Sequence, residues 1–247
     1  MKRILFLPAL LFMAVLLSGC RQPQPPVQLN GGLLVPYNKV WAHQVDDTLT
    51  AQAKEMLFDG LELNLVYSAS QHQLFVGHNV MDTLKGLTLQ QYLAALKRPQ
   101  ELCLWLDLKN LNYFTADTIS SLIKELLTPY GLLDRAFVES TDPWSLEIVK
   151  YHGLHTSLWV ESFYYQGIDT ASWVEKVNTR LQRAHPDAIS CEYKMFGALT
   201  RFFPDQNIFL WHTPADLTPE NAELTKSFCR HPSVKIVLVD YDKPIKY

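Results

Sequence analysis

The feature that most constrains this chain is an alternation. Short apolar runs recur between segments with helical spacing along nearly the whole sequence. The runs read as strands over 40–43, 60–67, 102–106, 136–140, 155–160, 188–191, 207–211 and 234–239, with an extra short strand over 74–77 after a hairpin. Helical periodicity covers 48–58, 88–96, 115–127, 144–151, 172–184, 196–203 and 219–228. Strands separated by helices imply βαβ units and a parallel sheet, because parallel neighbours need a long crossover. Eight such units predict an α/β fold, a single (β/α)₈ TIM barrel. The alternative is an open doubly wound sheet. No Gly-x-Gly-x-x-Gly follows an early strand, so the dinucleotide-binding version of that sheet has no support.

Local signals agree with this partition. Thr88 is placed to cap the helix that follows it. Thr128-Pro129-Tyr130-Gly131 stops the helix over 115–127. In the first helix, over 48–58, Leu49, Ala53, Met56 and Leu57 share one side. An apolar content of 48% supplies a core for residues 33–247, and no long linker divides them. One domain is expected there.

The N-terminus has a different character. Lys2 and Arg3 precede an apolar stretch from Ile4 to Leu17, which ends in Leu17-Ser18-Gly19-Cys20. The stretch is short for a membrane span and ends in small residues, as a secretory signal does. Leu-Ser-Gly-Cys resembles the bacterial lipobox, which implies lipidation at Cys20. A plain signal with an incidental cysteine is the alternative. The segment after it, Arg21-Gln22-Pro23-Gln24-Pro25-Pro26, is polar and proline-rich and reads as an extended tether. The expected organisation is a signal over 1–19, a lipidated cysteine and tether over 20–32, and the barrel over 33–247. By likeness to known lipoproteins, Arg21 directly after the cysteine favours the periplasmic face of the outer membrane of a Gram-negative envelope.

Charge and cysteines exclude other classes. A net charge of −3 offers no basic surface for nucleic acid. Beyond Cys20, Cys103, Cys191 and Cys229 are an odd number without a Cys-x-x-Cys pair, which speaks against structural zinc. Cys103 and Cys191 lie in apolar strand-like runs and read as buried thiols, although one disulfide is open in an oxidising compartment. Neither a Gly-x-Ser-x-Gly elbow nor a His-Glu-x-x-His is present.

In a TIM barrel, chemistry sits at the C-terminal strand ends. Nearly every predicted strand ends there in an ionisable side chain: His43, Glu62 with Asn64, Asp107 with Lys109, Glu139, Glu161, Glu192 with Lys194, His212 after Trp211, and Asp240, with His78 after the hairpin. Charges inside a barrel cost free energy unless paired or metal-bound, so their coincidence at one rim points to a site. His43 and His78 suit general acid and base roles. Glu62 and Asp107 are hard oxygen donors suited to Ca²⁺ or Mg²⁺. Lys109 suits a phosphoryl oxygen as a point charge.

Trp41-Ala42-His43, Gly60-Leu61-Glu62-Leu63-Asn64, Gly77-His78-Asn79, Leu87-Thr88-Leu89-Gln90 and Leu106-Asp107-Leu108-Lys109 together resemble successive motifs of the phospholipase-C-like phosphodiesterase superfamily. That superfamily includes the glycerophosphodiester phosphodiesterases. The pattern is closest to the menorin-type branch. The resemblance implies a TIM barrel that cleaves phosphodiesters with two histidines and a divalent cation. It carries the acid/base positions to His43 and His78, and the metal positions to Glu62, Asn64 and Asp107. Gln44 stands where the glycerophosphodiester enzymes carry arginine, Asn64 where they carry aspartate, and Asn79 where they carry aspartate after histidine.

The expectation is a membrane-anchored, monomeric, metal-dependent phosphodiesterase acting on a glycerophosphodiester or lipid headgroup. Glu139, Glu192, Lys194 and Trp211 are expected to support substrate or metal. The departures at Gln44, Asn64 and Asn79 motivate a second reading, a barrel that binds a phosphorylated headgroup, a glycan or a partner protein without turnover. A glycan hydrolase using Glu139 and Glu192 is a third, and needs the two carboxylates at a defined separation.

Overall fold

The computed structural model describes residues 25–29 and 31–247. The expected signal and Cys20 lie outside the described residues. Eight parallel strands form one ring: β1 (Val40–Ala42), β2 (Gly60–Ser68), β3 (Cys103–Leu108), β4 (Ala136–Ser140), β5 (His155–Trp159), β6 (Ala188–Glu192), β7 (Ile208–Trp211) and β8 (Val234–Val239). Each pairs with the next in sequence, and the ring closes where Val237 and Val239 of β8 face Val40 and Ala42 of β1. Closure decides against the open doubly wound sheet. A short arm, Gln73–Val76, pairs antiparallel with the upper part of β2.

Helices α1 (Thr48–Lys54), α2 (Leu89–Ala95), α3 (Ala116–Leu127), α4 (Pro143–Tyr151), α5 (Thr170–Ala184), α6 (Phe196–Phe202) and α7 (Pro219–Arg230) fill the crossovers. Thr88 caps α2 in a capping box: its hydroxyl accepts from Gln91 N–H at 3.2 Å, and the Gln91 side chain accepts from Thr88 N–H at 2.9 Å. Gly131, at φ 66°, takes the left-handed turn that lets the chain leave after α3. α1 departs from its sequence reading. It ends at Lys54, and Leu49, Met56 and Leu57 are exposed, while Ala51 and Phe58 are buried. Beyond α1, the buried Glu55 carboxylate accepts the backbone N–H groups of Lys97 and Arg98, and this holds the turn toward Phe58.

Alternation along each strand sends one set of side chains out to the helices and the other into the barrel. The outward set, including Leu61, Leu63, Leu104, Leu106, Val138, Leu158 and Ile189, forms the larger core. The inward set, including Trp41, Trp105, Phe137, Phe209 and Leu238, forms a separate inner core. Its rings interlock, with centroids 5.1 Å apart for Trp105–Phe137 and 4.8 Å for Phe137–Phe209. The space is so filled that a Cβ on Gly60 would lie 2.0 Å from the Trp41 indole. Below this level, Val27–Gln28 pairs with Leu34–Val35, and Leu29, Leu33 and Val35 join the inner core. The Cys103 thiol, at the start of β3, donates to Leu34 C=O at 3.2 Å, so this hairpin closes the N-terminal end of the barrel. The folded body thus includes residues on the N-terminal side of Leu33. Cys103, Cys191 and Cys229 are all buried free thiols.

Candidate functional site

One pleat above the aromatic core, the inward positions become polar. Asn64, Asp107, Glu139 and Ser157 form one row across four adjacent strands, each in register with the next. Glu62 sits one step lower on β2, in register with Trp105. The same alternation that carries aromatic residues into the barrel therefore carries carboxylates there at the C-terminal end.

His43 follows β1. Its Nδ1 lies 2.7 Å from Asp240 Oδ1 at the end of β8, and its Nε2 lies 3.8 Å from Glu62 Oε2. The ring is held on one nitrogen and faces the interior with the other. Glu62 is 2% exposed and accepts the Gln44 backbone N–H at 2.6 Å. That bond accompanies a left-handed backbone at Gln44, φ 53°, a conformation that L-residues rarely adopt away from functional turns. Asn64 is gripped twice by Asp46, which accepts its backbone N–H at 2.8 Å and its side-chain N–H at 2.7 Å. Lys109 Nζ donates to Asp107 Oδ2 at 2.5 Å, and the Ser190 hydroxyl donates to the buried Glu139.

Burial dominates the electrostatics. It raises Glu62 to about 7; the His43 charge opposes this and Asp107 adds to it. Burial, then Asp107 and Glu62, push Glu139 well above the usual carboxylate range. Burial raises Asp107 too, against the pull of Lys109. For His43 burial alone lowers the pKa, but the Asp240 hydrogen bond and the charges of Glu62, Asp240 and Asp46 outweigh it, and the net shift is upward. Trp105 Nε1 and Ser157 Oγ, like Trp41 Nε1, are buried without a hydrogen-bond partner among the described residues.

The donor set fits a hard divalent cation. Glu62, Asp107 and Glu139 are hard oxygen donors on adjacent strands whose mutual repulsion a cation would relieve, and Asn64 offers a neutral oxygen. Among the described residues, however, no three His, Cys, Asp or Glu side chains already converge as a metal cluster. Asp107 is shared with Lys109.

The remaining sequence-derived residues divide. His78 is exposed on the loop after the hairpin arm, close enough for its charge to act on Asp107. Asp82 shapes that loop by accepting the N–H groups of His78 and Asn79 at 2.8 and 3.0 Å. A Cβ on Gly77 would come within 2.3 Å of Asp82, so the loop needs glycine there. Glu192 pairs with Lys194 at 2.9 Å and, with Trp211, lines a different part of the mouth. Glu139 is buried and held by Ser190, while Glu192 is half-buried in its own ion pair. His212 faces outward, bonded to Thr225 at 2.8 Å and packed on Tyr193 and Phe228, and belongs to the core. Asp46 and Ser190 carry no signal in the sequence that marks them as site residues. Asp46 lies in a loop without periodic signal, and Ser190 is a small residue in an apolar strand. Asp240 was visible at its strand end, but its bond to His43 joins residues 197 positions apart.

No protein-family model matches this chain, and no curated protein matches it in sequence. Solved structures do match in shape. A glycerophosphodiester phosphodiesterase from Parabacteroides distasonis superposes with a TM-score of 0.60 at 16% identity, over 82% of this chain and 92% of that one. The barrel has the fold of the glycerophosphodiester phosphodiesterases. An Oleispira antarctica phosphodiesterase, solved with the product sn-glycerol-3-phosphate, gives 0.58 at 13% identity, over 83% and 93%. A glycerol uptake operon antiterminator regulatory protein from Listeria monocytogenes gives 0.52 at 11% identity, over 87% and 96%. That third likeness shows why the fold alone assigns no activity and the site must.

Proposed function

We propose that this chain is a phosphodiesterase of the bacterial envelope, lipid-anchored at Cys20 and acting on a glycerophosphodiester or lipid-headgroup phosphodiester. The observation that carries this reading is His43. It is anchored by Asp240 on Nδ1, which leaves Nε2 as the nitrogen that exchanges protons, at a barrel mouth lined by Glu62, Asp107 and Lys109. His43 and His78 divide the two proton transfers. One removes the proton of the attacking hydroxyl, from water or from the substrate itself, and the other protonates the leaving alkoxide oxygen. Lys109 neutralises a phosphoryl oxygen, and Asp107 orients its ammonium. Glu62, Asp107 and the Asn64 carbonyl would hold a Ca²⁺ or Mg²⁺ ion, which would supply further neutralisation of the phosphate charge. Asp46 fixes the Asn64 amide for that purpose. The anchor, the outer-membrane address and the monomeric state belong to the same proposal. Among the described residues no helix is long and apolar enough to cross a membrane.

The test is turnover of glycerophosphodiesters with Ca²⁺ or Mg²⁺, alongside calorimetric titration of each ion. Expected are saturable ion binding that Glu62→Gln abolishes, and turnover that His43→Ala and His78→Ala each abolish. Turnover intact in both histidine variants overturns the assignment. The competing reading, a barrel that binds a headgroup without cleaving it, draws on the engagement of Asp107 by Lys109 and of Asn64 by Asp46. Headgroup binding without turnover under either ion decides for it.

A further inference from the structure

The closed end of the barrel fixes where the chain enters it. Val27–Gln28 pairs with Leu34–Val35, and Leu29 N–H donates to Leu33 C=O at 2.8 Å across the turn. This hairpin is locked into the barrel floor. Leu29, Leu33 and Val35 are buried in the inner core, a Cβ on Gly31 would lie 2.3 Å from Asp187 just before β6, and one on Gly32 would meet His155 at the start of β5. The chain therefore joins the body at the end opposite His43, Asp107 and Lys109. Only Arg21-Gln22-Pro23-Gln24-Pro25-Pro26 stand between Cys20 and Val27. Fully extended, that stretch reaches at most about 25 Å. The 9-residue β2 alone rises about 24 Å along the barrel axis at the usual strand tilt. A helix is about 10–12 Å across with its side chains, so a path from the floor to the rim runs outward past the helices as well as up, and exceeds the tether.

Given the Cys20 anchor of the proposed function, on which this inference rests, we propose that the barrel stands on its anchoring membrane by the closed end. The mouth is then turned away from the leaflet that holds the protein, and a substrate reaches it from the aqueous side. Charge at the mouth agrees with this. Its loops carry Asp46, Asp47, Asp142, Asp169, Asp216 and Asp240, while Lys109 and Lys194 are each bound to a carboxylate, Asp107 and Glu192. An acidic rim is repelled by anionic lipid, the reverse of the polybasic segments that draw proteins to such a surface. Met81, Leu84, Tyr113 and Phe114 are also exposed there, on the loops after the arm and after β3. Apolar side chains of this kind enter a bilayer that they can reach, and the tether denies them the anchoring leaflet. A lipid of that leaflet would have to leave the bilayer whole to enter the mouth, and would lose the burial of every methylene of its chains. A diester that is dissolved, or held on a surface facing the anchor, meets no such barrier.

Energy transfer tests the orientation without any turnover. The full, lipidated chain is placed in vesicles of phosphatidylethanolamine and phosphatidylglycerol that carry an acceptor dye on a headgroup. A donor is attached through Asp134→Cys, exposed beside the floor hairpin, or through Phe114→Cys at the mouth. Cys103, Cys191 and Cys229 are buried and do not compete for the label. Transfer several-fold stronger from position 134 than from position 114 is expected. A Gly/Ser insertion of about 30 residues between Pro26 and Val27, with a root-mean-square span of about 30 Å, should narrow the difference. Equal transfer from the two positions on the native tether, or stronger transfer from position 114, overturns the orientation. Cys20→Ser should release the chain from the vesicles; a chain that stays bound overturns the anchor and the orientation together. If position 134 gives the stronger transfer and no diester is cleaved, the orientation stands and the catalytic reading fails. If diesters are cleaved, and those of the anchoring leaflet as fast on the native tether as on the longer one, the catalytic reading stands and the orientation fails.

Discussion

The lower and upper levels of the barrel interior are built by the same strands with the same alternation, and they have opposite character. Trp41, Trp105, Phe137 and Phe209 fill the lower level with interlocked rings and leave Gly60 no room for a side chain. One pleat higher, Asp107 and Glu139 place carboxylates in the barrel, and Glu62 joins them from the register of Trp105; burial raises the pKa of all three. The lower level gains free energy by excluding water. The upper level loses some by desolvating charge, and offsets part of it with Gln44 N–H, Lys109 and Ser190. The difference teaches that position along the strand, and not the degree of burial, separates scaffold from site in this fold.

Substitutions at the two levels should therefore fail in different ways. The largest effect is expected from His43→Ala, which should lower kcat/KM for a phosphodiester by up to about 10⁴-fold while the unfolding midpoint in urea changes little. Phe137→Ala should do the reverse. It should cost about 3–5 kcal/mol in equilibrium unfolding and spare the turnover of the molecules that remain folded. A loss of folding in the first variant, or of chemistry alone in the second, would erase the comparison.

A subtler contrast follows from Glu62. Its folded pKa is raised from 4.5 to about 7, so the folded state holds the proton more tightly than the unfolded chain. The protein with divalent ions chelated should be most stable below pH 4.5 with respect to this group, and should lose that stability as pH rises through 7. Glu62→Gln keeps a neutral side chain at every pH. It should be more stable than the parent by at most about 3 kcal/mol at pH 8, and by nothing at pH 4, in thermal melts with chelator. No pH dependence of the difference would mean that Glu62 is not desolvated as described.

The smallest effect concerns Asp240. Asp240→Asn should reduce turnover about 10-fold, because the imidazole keeps a partner but loses a charge. It should also lower the His43 pKa read from its ring-proton NMR titration, since Asp240 is a main contributor to the upward shift. A turnover loss without a shift in that titration would reduce Asp240 to a packing residue.

Much of this was legible in the chain. The eight strands and the helices between them follow from apolar runs and helical periodicity. Thr88 and Gly131 act in the structure as their chemistry predicts. Glu62 and Asn64 share a face because alternate residues of one strand must. Other features were not legible. Leu49, Met56 and Leu57 have helical spacing but are exposed, because α1 stops at Lys54 and the chain then turns on Glu55. The grip of Asp46 on Asn64 spans 18 positions through a loop that no periodicity marks. The Val27–Gln28 arm lies in a segment whose composition suggests a tether, and only its pairing with Leu34–Val35 shows that it is folded.

The sequence by itself determined the order and type of elements and the set of polar residues at one rim, because local patterning and strand alternation are properties of neighbours in the chain. Only the tertiary structure decided that the sheet closes on itself, and that Asp240 holds His43 and Asp46 holds Asn64. These depend on register between strands that are distant in sequence. The pKa of Glu62 depends on them as well, because desolvation is set by everything packed around a carboxylate and not by the residues beside it in the chain.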